Sequence, residues 1–130
     1  MSGATDLNES RIGQISVTVH DLERAVTFYK EKLGLRHLFT VPKMSFFDCG
    51  GIRLMLAIPE DPKFDHPSSV LYFNVEDIQT VFKSLSERGV QFEGPPHMIA
   101  KMDSYDLWMA FFRDSENNLL SLMSNIARSS

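Results

Sequence analysis

The sequence predicts an α+β protein in which two βαβββ modules form a cup-shaped mixed β-sheet. Three observations carry that prediction. The chain resembles itself at an offset of 56 residues, with Ile15-Ser-Val-Thr-Val-His-Asp-Leu22 lining up with Leu71-Tyr-Phe-Asn-Val-Glu-Asp-Ile78. In both copies an alternating strand pattern runs into a helix, opened by an aspartate and closed by a glycine. Each half also carries a hairpin echo: Phe46-Phe47-Asp48, two glycines and Ile52-Arg-Leu-Met-Leu56 match Phe111-Phe112-Arg113-Asp114, then Asn117, Asn118 and Leu119-Leu-Ser-Leu122.

Residues 1–11 are small and polar at their start and read as a flexible end. The first strand follows, and Asp21 stands where a side-chain oxygen satisfies the first free N–H groups of a helix. About ten to twelve helix-forming residues come next, and Gly34 takes the stop position that glycine favours. A short edge strand over residues 36–39 and the first hairpin complete module one. Residues 59–69, with three prolines, form a linker. Module two repeats the order: a strand from Leu71, an N-cap at Asp77, a helix to Gly89, an edge strand over residues 97–100 and the second hairpin. Residues 125–130 read as the other flexible end. Neither half has enough core to stand alone, so residues 12–124 read as one domain of two modules, 12–58 and 70–124.

Composition bounds the function. The 130 residues are 43% hydrophobic and 23% charged, which describes a packed globular chain and excludes a disordered or coiled-coil one. A formal net charge of −4 gives no general attraction to phosphate backbones, and no basic patch is evident, so neither nucleic acid nor membrane is an expected partner. The single cysteine, Cys49, cannot form an internal disulfide or build a thiolate cluster. No stretch reaches the roughly 20 apolar residues of a membrane span, and Met1 to Ser10 lacks the form of an export signal. A cytoplasmic setting is the expectation.

Val-x-Asp-Leu-x-x-Ala-x-x-Phe-Tyr and Leu-Gly-Leu in module one, with Asp114-Ser-Glu-Asn-Asn118-Leu near the end, are specific in their order. With the duplicated βαβββ pattern, the chain resembles the vicinal oxygen chelate superfamily from about Ile12 to Ser124. That superfamily includes glyoxalase I, extradiol dioxygenases, methylmalonyl-CoA epimerase, and the bleomycin and fosfomycin resistance proteins. The resemblance implies the glyoxalase/bleomycin resistance/dioxygenase fold and a homodimer. It does not fix an activity, because one architecture serves unrelated chemistries.

Strand parity assigns two faces. Ile15, Val17, Val19, Ile52, Leu54, Leu56, Leu71, Phe73, Val75, Leu120 and Leu122 are all apolar and read as core, covered by Val26, Leu33, Ile78, Phe82 and Leu85 from the helices. The opposite parity mixes Gln14, Ser16, Thr18, Arg53, Met55, Ala57, Val70, Tyr72, Asn74, Leu119, Ser121 and Met123. A concave, mostly apolar face with a few polar groups suits a small molecule.

Enzymes of the resembled family hold a divalent metal with one side chain from the first and last strand of each module. By motif match those slots are Gln14, Met55, Val70 and Ser121. Valine offers no donor, methionine a soft thioether and serine a poor neutral oxygen, so no metal and no cofactor are expected. Shifting any slot by one residue recovers no ligand. The face also lacks the glutamate that serves glyoxalase I as base.

His20, His37 and His66 read as surface residues. His97, held extended after Pro95-Pro96, is a candidate acid or base with Tyr72. Arg53 is a candidate clamp for a carboxylate or phosphate, and Trp108, with Phe46 or Phe47 and Phe111 or Phe112, a stacking surface for a ligand; parity leaves open which Phe of each pair faces the cup. Residues 99–108 are polar in the middle and read as a flap over the cup. The expected site is therefore Gln14, Ser16, Arg53, Met55, Tyr72, His97, Trp108 and Ser121, taking a small, partly apolar organic molecule without a metal. The alternative is a metal-dependent or acid/base enzyme of the same superfamily, a lyase, isomerase or dioxygenase.

Overall fold

The structure is a computed structural model that describes residues 5–128. Residues 1–4 and 129–130, parts of the two expected flexible ends, lie outside it. The element order repeats as the sequence implies. Module one has β1 (Gln14–Thr18), α1 (Leu22–Thr27), β2 (Arg36–Val41), β3 (Met44–Cys49) and β4 (Ile52–Ala57). Module two has β5 (Leu71–Asn74), α2 (Ile78–Glu87), β6 (His97–Lys101), β7 (Tyr105–Arg113) and β8 (Leu119–Ala127). The strands hydrogen-bond as two four-stranded mixed sheets, β1-β4-β3-β2 and β5-β8-β7-β6. In each, the first strand runs parallel to the last while the hairpin strands pair antiparallel.

Local chemistry sets the helix ends. The Asp21 carboxylate accepts from the Arg24 amide at 3.1 Å, and the Asp77 carboxylate from the Thr80 amide at 3.2 Å. Gly34 and Gly89 follow the helices at φ values of +74° and +92°, where a side chain would be strained. Helix α1 departs from the expected single helix: after Thr27 it widens into a π-helical segment, Phe28–Lys32. The Leu33 amide reaches the Phe28 carbonyl at 3.0 Å, and the wider turn buries the adjacent Phe28 and Tyr29 together.

The core is one cluster drawn from both modules: Val17, Phe47, Leu54 and Leu56 from the first sheet, Ala110, Phe112, Leu120 and Leu122 from the second, and Ala25, Tyr29, Ile78 and Leu85 from the helices. Both sheets turn their helix-bearing faces inward to share it. Their opposite faces, which carry the candidate site residues other than Trp108, are left outside this core. Each Phe-Phe pair is thereby resolved, with Phe47 and Phe112 fully buried on the core side and Phe46 and Phe111 on the cup parity.

Strand β8 continues through Ala127, past position 124, and pairs along its whole length with β7. Arg128 then donates to the Met102, Asp103 and Tyr105 carbonyls and pairs with Asp106. Residues 99–108 are accordingly not a separate flap. They are the β6–β7 hairpin, with Ala100 opposite Leu107 and Lys101 opposite Asp106, and the guanidinium of Arg128 ties down its tip. No helix among the described residues is long and apolar enough to cross a membrane.

Candidate functional site

The first cup presents Gln14, Ser16 and Thr18 from β1 in register with Arg53, Met55 and Ala57 from β4. Next to these, β3 contributes Met44 and Phe46, and β2 contributes Phe39 and Val41. A cavity of about 430 Å³ opens on this face. Ser16, Thr18, Met44, Met55 and Ala57 form its floor. Its far wall is the linker, whose Phe64, His66 and Ser68 were not legible as site residues. Three polar contacts strap the linker down: the Thr18 hydroxyl donates to the Phe64 carbonyl at 3.1 Å, the Ser68 hydroxyl accepts from the Thr18 amide at 3.0 Å, and His20 meets Asp65 at 2.9 Å.

Arg53 holds an unusual position on this cup. Its guanidinium carbon lies 5.3 Å from the centre of the Phe46 ring and 6.0 Å from that of Phe39. The two rings are stacked with centroids 4.6 Å apart. The result is a cation seated on an aromatic floor.

The second cup carries Tyr72, Ser121, Phe111, Met109 and His97. Strands β5 and β7 are second neighbours, roughly 10 Å apart, yet the Tyr72 and Phe111 ring centres are only 6.0 Å apart. The rings therefore lean together over Ser121, which lies between them in register and is fully buried. The Ser121 hydroxyl donates to the Ala110 and Leu122 carbonyls, at 3.3 and 2.8 Å, and turns no oxygen to a ligand.

Tyr72 and His97 are not brought together. They stand on opposite edge strands of one sheet, about 14 Å apart by strand spacing alone, too far to share one reacting bond. His97 is exposed, with Nδ1 against the Pro95 carbonyl at 3.3 Å. Trp108 does not face the cup. It shares one face of β7 with Ala110 and Phe112 and packs against the shared core, because the register with Ser124 sets its parity. Of the expected stacking set, Phe46 and Phe111 stand on the cup parity, and Phe39 joins them.

The slots the resemblance implies do not fit a hard or borderline divalent ion. The Gln14 amide nitrogen lies 3.9 Å from the Met55 sulfur, Val70 has no donor, and the Ser121 oxygen is turned to the backbone. Among the described residues, no group of three or more His, Cys, Asp or Glu is placed to hold a metal ion.

Two other hollows lie off the cups. A groove of about 800 Å³ at the seam of α1 and the β7–β8 turn is lined by Arg24 and Arg113, each already paired, with Glu116 and Glu93 respectively, at 2.7 Å. An apolar cleft of about 250 Å³ between the modules is lined by Leu35, Phe73, Phe112 and Cys49. Burial, and then the Asp48 charge, raise the Cys49 thiol above its ordinary value, which keeps it a poor nucleophile.

Comparison with known proteins agrees with the duplicated fold. The family model described as the Glyoxalase/Bleomycin resistance protein/Dioxygenase superfamily matches residues 11–122. Among curated relatives, YraH of Bacillus subtilis (strain 168) is 29% identical over 123 residues, spanning 84% of this chain and 94% of its own. YurT of the same organism is 29% identical over 124 residues, spanning 83% and 94%. Both carry the description "uncharacterized". Among solved structures, a lactoylglutathione lyase from Agrobacterium tumefaciens superposes with a TM-score of 0.73 at 20% identity, covering 90% of this chain and 95% of that one. A glyoxalase/bleomycin resistance protein/dioxygenase from Nocardioides also gives 0.73, at 21% identity, covering 97% and 90%. At such identity the structural likeness speaks to fold alone, while the family match spans most of the sequence. The chain belongs to the glyoxalase/bleomycin resistance protein/dioxygenase superfamily.

Proposed function

We propose that this protein binds a small, partly apolar organic molecule in the first cup and does so without a divalent metal. The observation that carries this reading is the 430 Å³ cavity, whose Met44, Met55, Ala57 and Phe64 surfaces are interrupted by Ser16, Thr18 and His66. That mix of apolar wall and sparse polar groups is what a small-molecule site requires. Every lining residue comes from module one or the linker, so the cavity stands within a single chain.

Tyr72, Phe39 and Val41, 46%, 44% and 40% exposed, are the kind of apolar surface that a second copy would cover. A homodimer in a reducing, cytoplasmic setting is part of the proposal. Light scattering on the purified chain would read one subunit mass if the dimer does not form.

The experiment for the binding site is a thermal-shift screen of aromatic and aliphatic small molecules against wild type and Ser16→Trp. A hit that raises the melting temperature of the wild type in a dose-dependent way, and not that of the filled-cup variant, supports the reading. Equal shifts in both proteins would place binding elsewhere.

A second reading, an acid/base enzyme, is favoured by His97. With Nδ1–H donating to the Pro95 carbonyl, Nε2 is left as a free acceptor on an open face. Under that reading the reacting molecule lies in the second cup, and His97→Ala abolishes its turnover while its binding persists.

A further inference from the structure

We infer that the first cup selects an organic monocarboxylate with an apolar body, the anion held by Arg53 and the body lying over Met55 into the cavity. The inference rests on the reading that this cup binds a small molecule, and adds which chemical class.

Arg53 has an acidic residue, Asp48, directly opposite it in the β3–β4 register. No ion pair joins them. The guanidinium lies instead over Phe46 and Phe39, 5.3 and 6.0 Å from the ring centres. Phe46 is the register partner of Met55, so resting on Phe46 carries the cation along the sheet toward Met55 and the cavity that Met55 lines. The aromatic contact uses the face of the guanidinium and leaves its edge free. Among the described residues, no protein acceptor engages that edge. A planar fork of five donors, held on a rigid floor and otherwise unengaged, is matched to a carboxylate.

Two neighbours refine the class. Gln14, the β1 register partner of Arg53, touches only the Met55 sulfur at 3.9 Å with its side-chain amide, a weak contact that an anion can replace. Asp48 stands between Arg53 and Arg36 in the sheet register, so the three groups together carry a single net positive charge, which suits a monoanion better than a dianionic phosphate. Arg53 and Met55 are two residues apart on one strand, roughly 7 Å. With the guanidinium leaning over Phe46 toward Met55, a ligand reaching both has its carboxylate within about that distance of its apolar part, as in an arylalkanoic acid.

The test is calorimetric titration of the full chain with phenylbutyrate, with its primary amide phenylbutyramide, and with inorganic phosphate. The expected result is that wild type binds the acid at least roughly tenfold tighter than the amide, with no saturable phosphate binding. Arg53→Gln should bring the ratio of acid to amide affinity close to one, and Arg53→Lys, which keeps charge but loses the fork, should give an intermediate ratio. Circular dichroism establishes that each variant is folded, and the lysine variant decides the question if the glutamine one is not. Equal affinity of wild type for acid and amide, an unchanged ratio in folded Arg53→Gln or Arg53→Lys, or phosphate binding as tightly as the acid each overturns the inference. If both probes bind equally and Ser16→Trp abolishes both, the carboxylate preference falls and the cup reading stands. If neither probe binds, the carboxylate inference falls, and the cup reading is decided by the thermal-shift screen.

Discussion

The phenol of Tyr29, in the π-helical segment of module one, donates to the carboxylate of Asp114, in the β7–β8 turn of module two, across 2.6 Å. Both groups are buried, and Asp114 is only 6% exposed. The carboxylate also accepts from the Glu116 and Asn118 amides, each at 2.8 Å, and from the Asn118 side chain at 2.9 Å. Four donors around one buried carboxylate meet the cost of removing it from water. Burial, and then the Asp114 charge, push the Tyr29 phenol well above its usual range, so it remains a donor throughout the working pH range.

Tyr29→Phe keeps the ring and removes one of the four donors. We expect it to lower unfolding free energy by about 1–3 kcal/mol in urea denaturation, with affinity for a cup ligand unchanged. Asn118, which binds Asp114, also donates to the Thr18 carbonyl at 3.1 Å beneath the cavity, so a stability loss accompanied by an equal loss of affinity would show that the seam and the cup are coupled.

Glu116 makes the second tie across the seam. Its side chain is 2% exposed, bonded to Arg24 at 2.7 Å and accepting from the His20 and Asp21 amides at 3.0 Å. Burial alone would raise its carboxyl, but the Arg24 guanidinium and the two amides together hold it at about 2. A carboxyl depressed in the folded state contributes stability that is present above its unfolded value, near 4.3, and lost as pH falls toward the folded one. Glu116→Gln should therefore cost on the order of 2 kcal/mol at neutral pH, allowing for the exposed Arg24 end. Urea melts at several pH values should show that gap closing between about pH 5 and pH 2. A gap constant across that range would mean the carboxylate charge is not what Arg24 and the amides read.

The fold was legible because its signals are local. Val17 and Val19 alternate with polar neighbours at period two, Asp21 and Asp77 are helix caps three residues from the amides they accept from, and the offset from Ile15 to Leu71 repeats the whole order. The seam was not legible, because Tyr29 and Asp114 are 85 residues apart and nothing in either neighbourhood names the other. The π-helical widening has no sequence signature that distinguishes it from a longer α-helix. On the cup, Gln14, Ser16, Arg53 and Met55 follow from parity in a strand pair of known register. Trp108 does not, because its facing depends on how β7 is paired with β8. Phe64 and His66 reach the cavity only because the linker folds back over it, a tertiary event that a proline-rich stretch does not encode.

Trp108 gives a direct optical check on that parity. It is the single tryptophan, and its indole packs on the core side of the sheet. Its emission should move to the red when urea unfolds the chain, and should keep its maximum when a cup ligand saturates the native protein. A shift on saturation as large as that on unfolding would put the indole in contact with the ligand and reverse the placement of β7.

The donor set of the cup makes a separate prediction about metals. Gln14 is the one slot residue with a hard oxygen free to turn outward, and its nearest slot neighbour is the Met55 thioether at 3.9 Å from the amide nitrogen. The Ser121 hydroxyl would have to leave two carbonyls and emerge from beneath the Tyr72 and Phe111 rings before it met an ion. A single amide oxygen does not retain nickel, zinc, manganese or ferrous iron against dialysis. Untagged protein incubated with each of these ions and dialysed should hold less than about a tenth of an equivalent by mass spectrometry. Close to one equivalent per chain, lost in Gln14→Ala, would mean that side chains from both cups, or from a second copy, converge on Gln14, and would move the protein to the metal-dependent members of its superfamily.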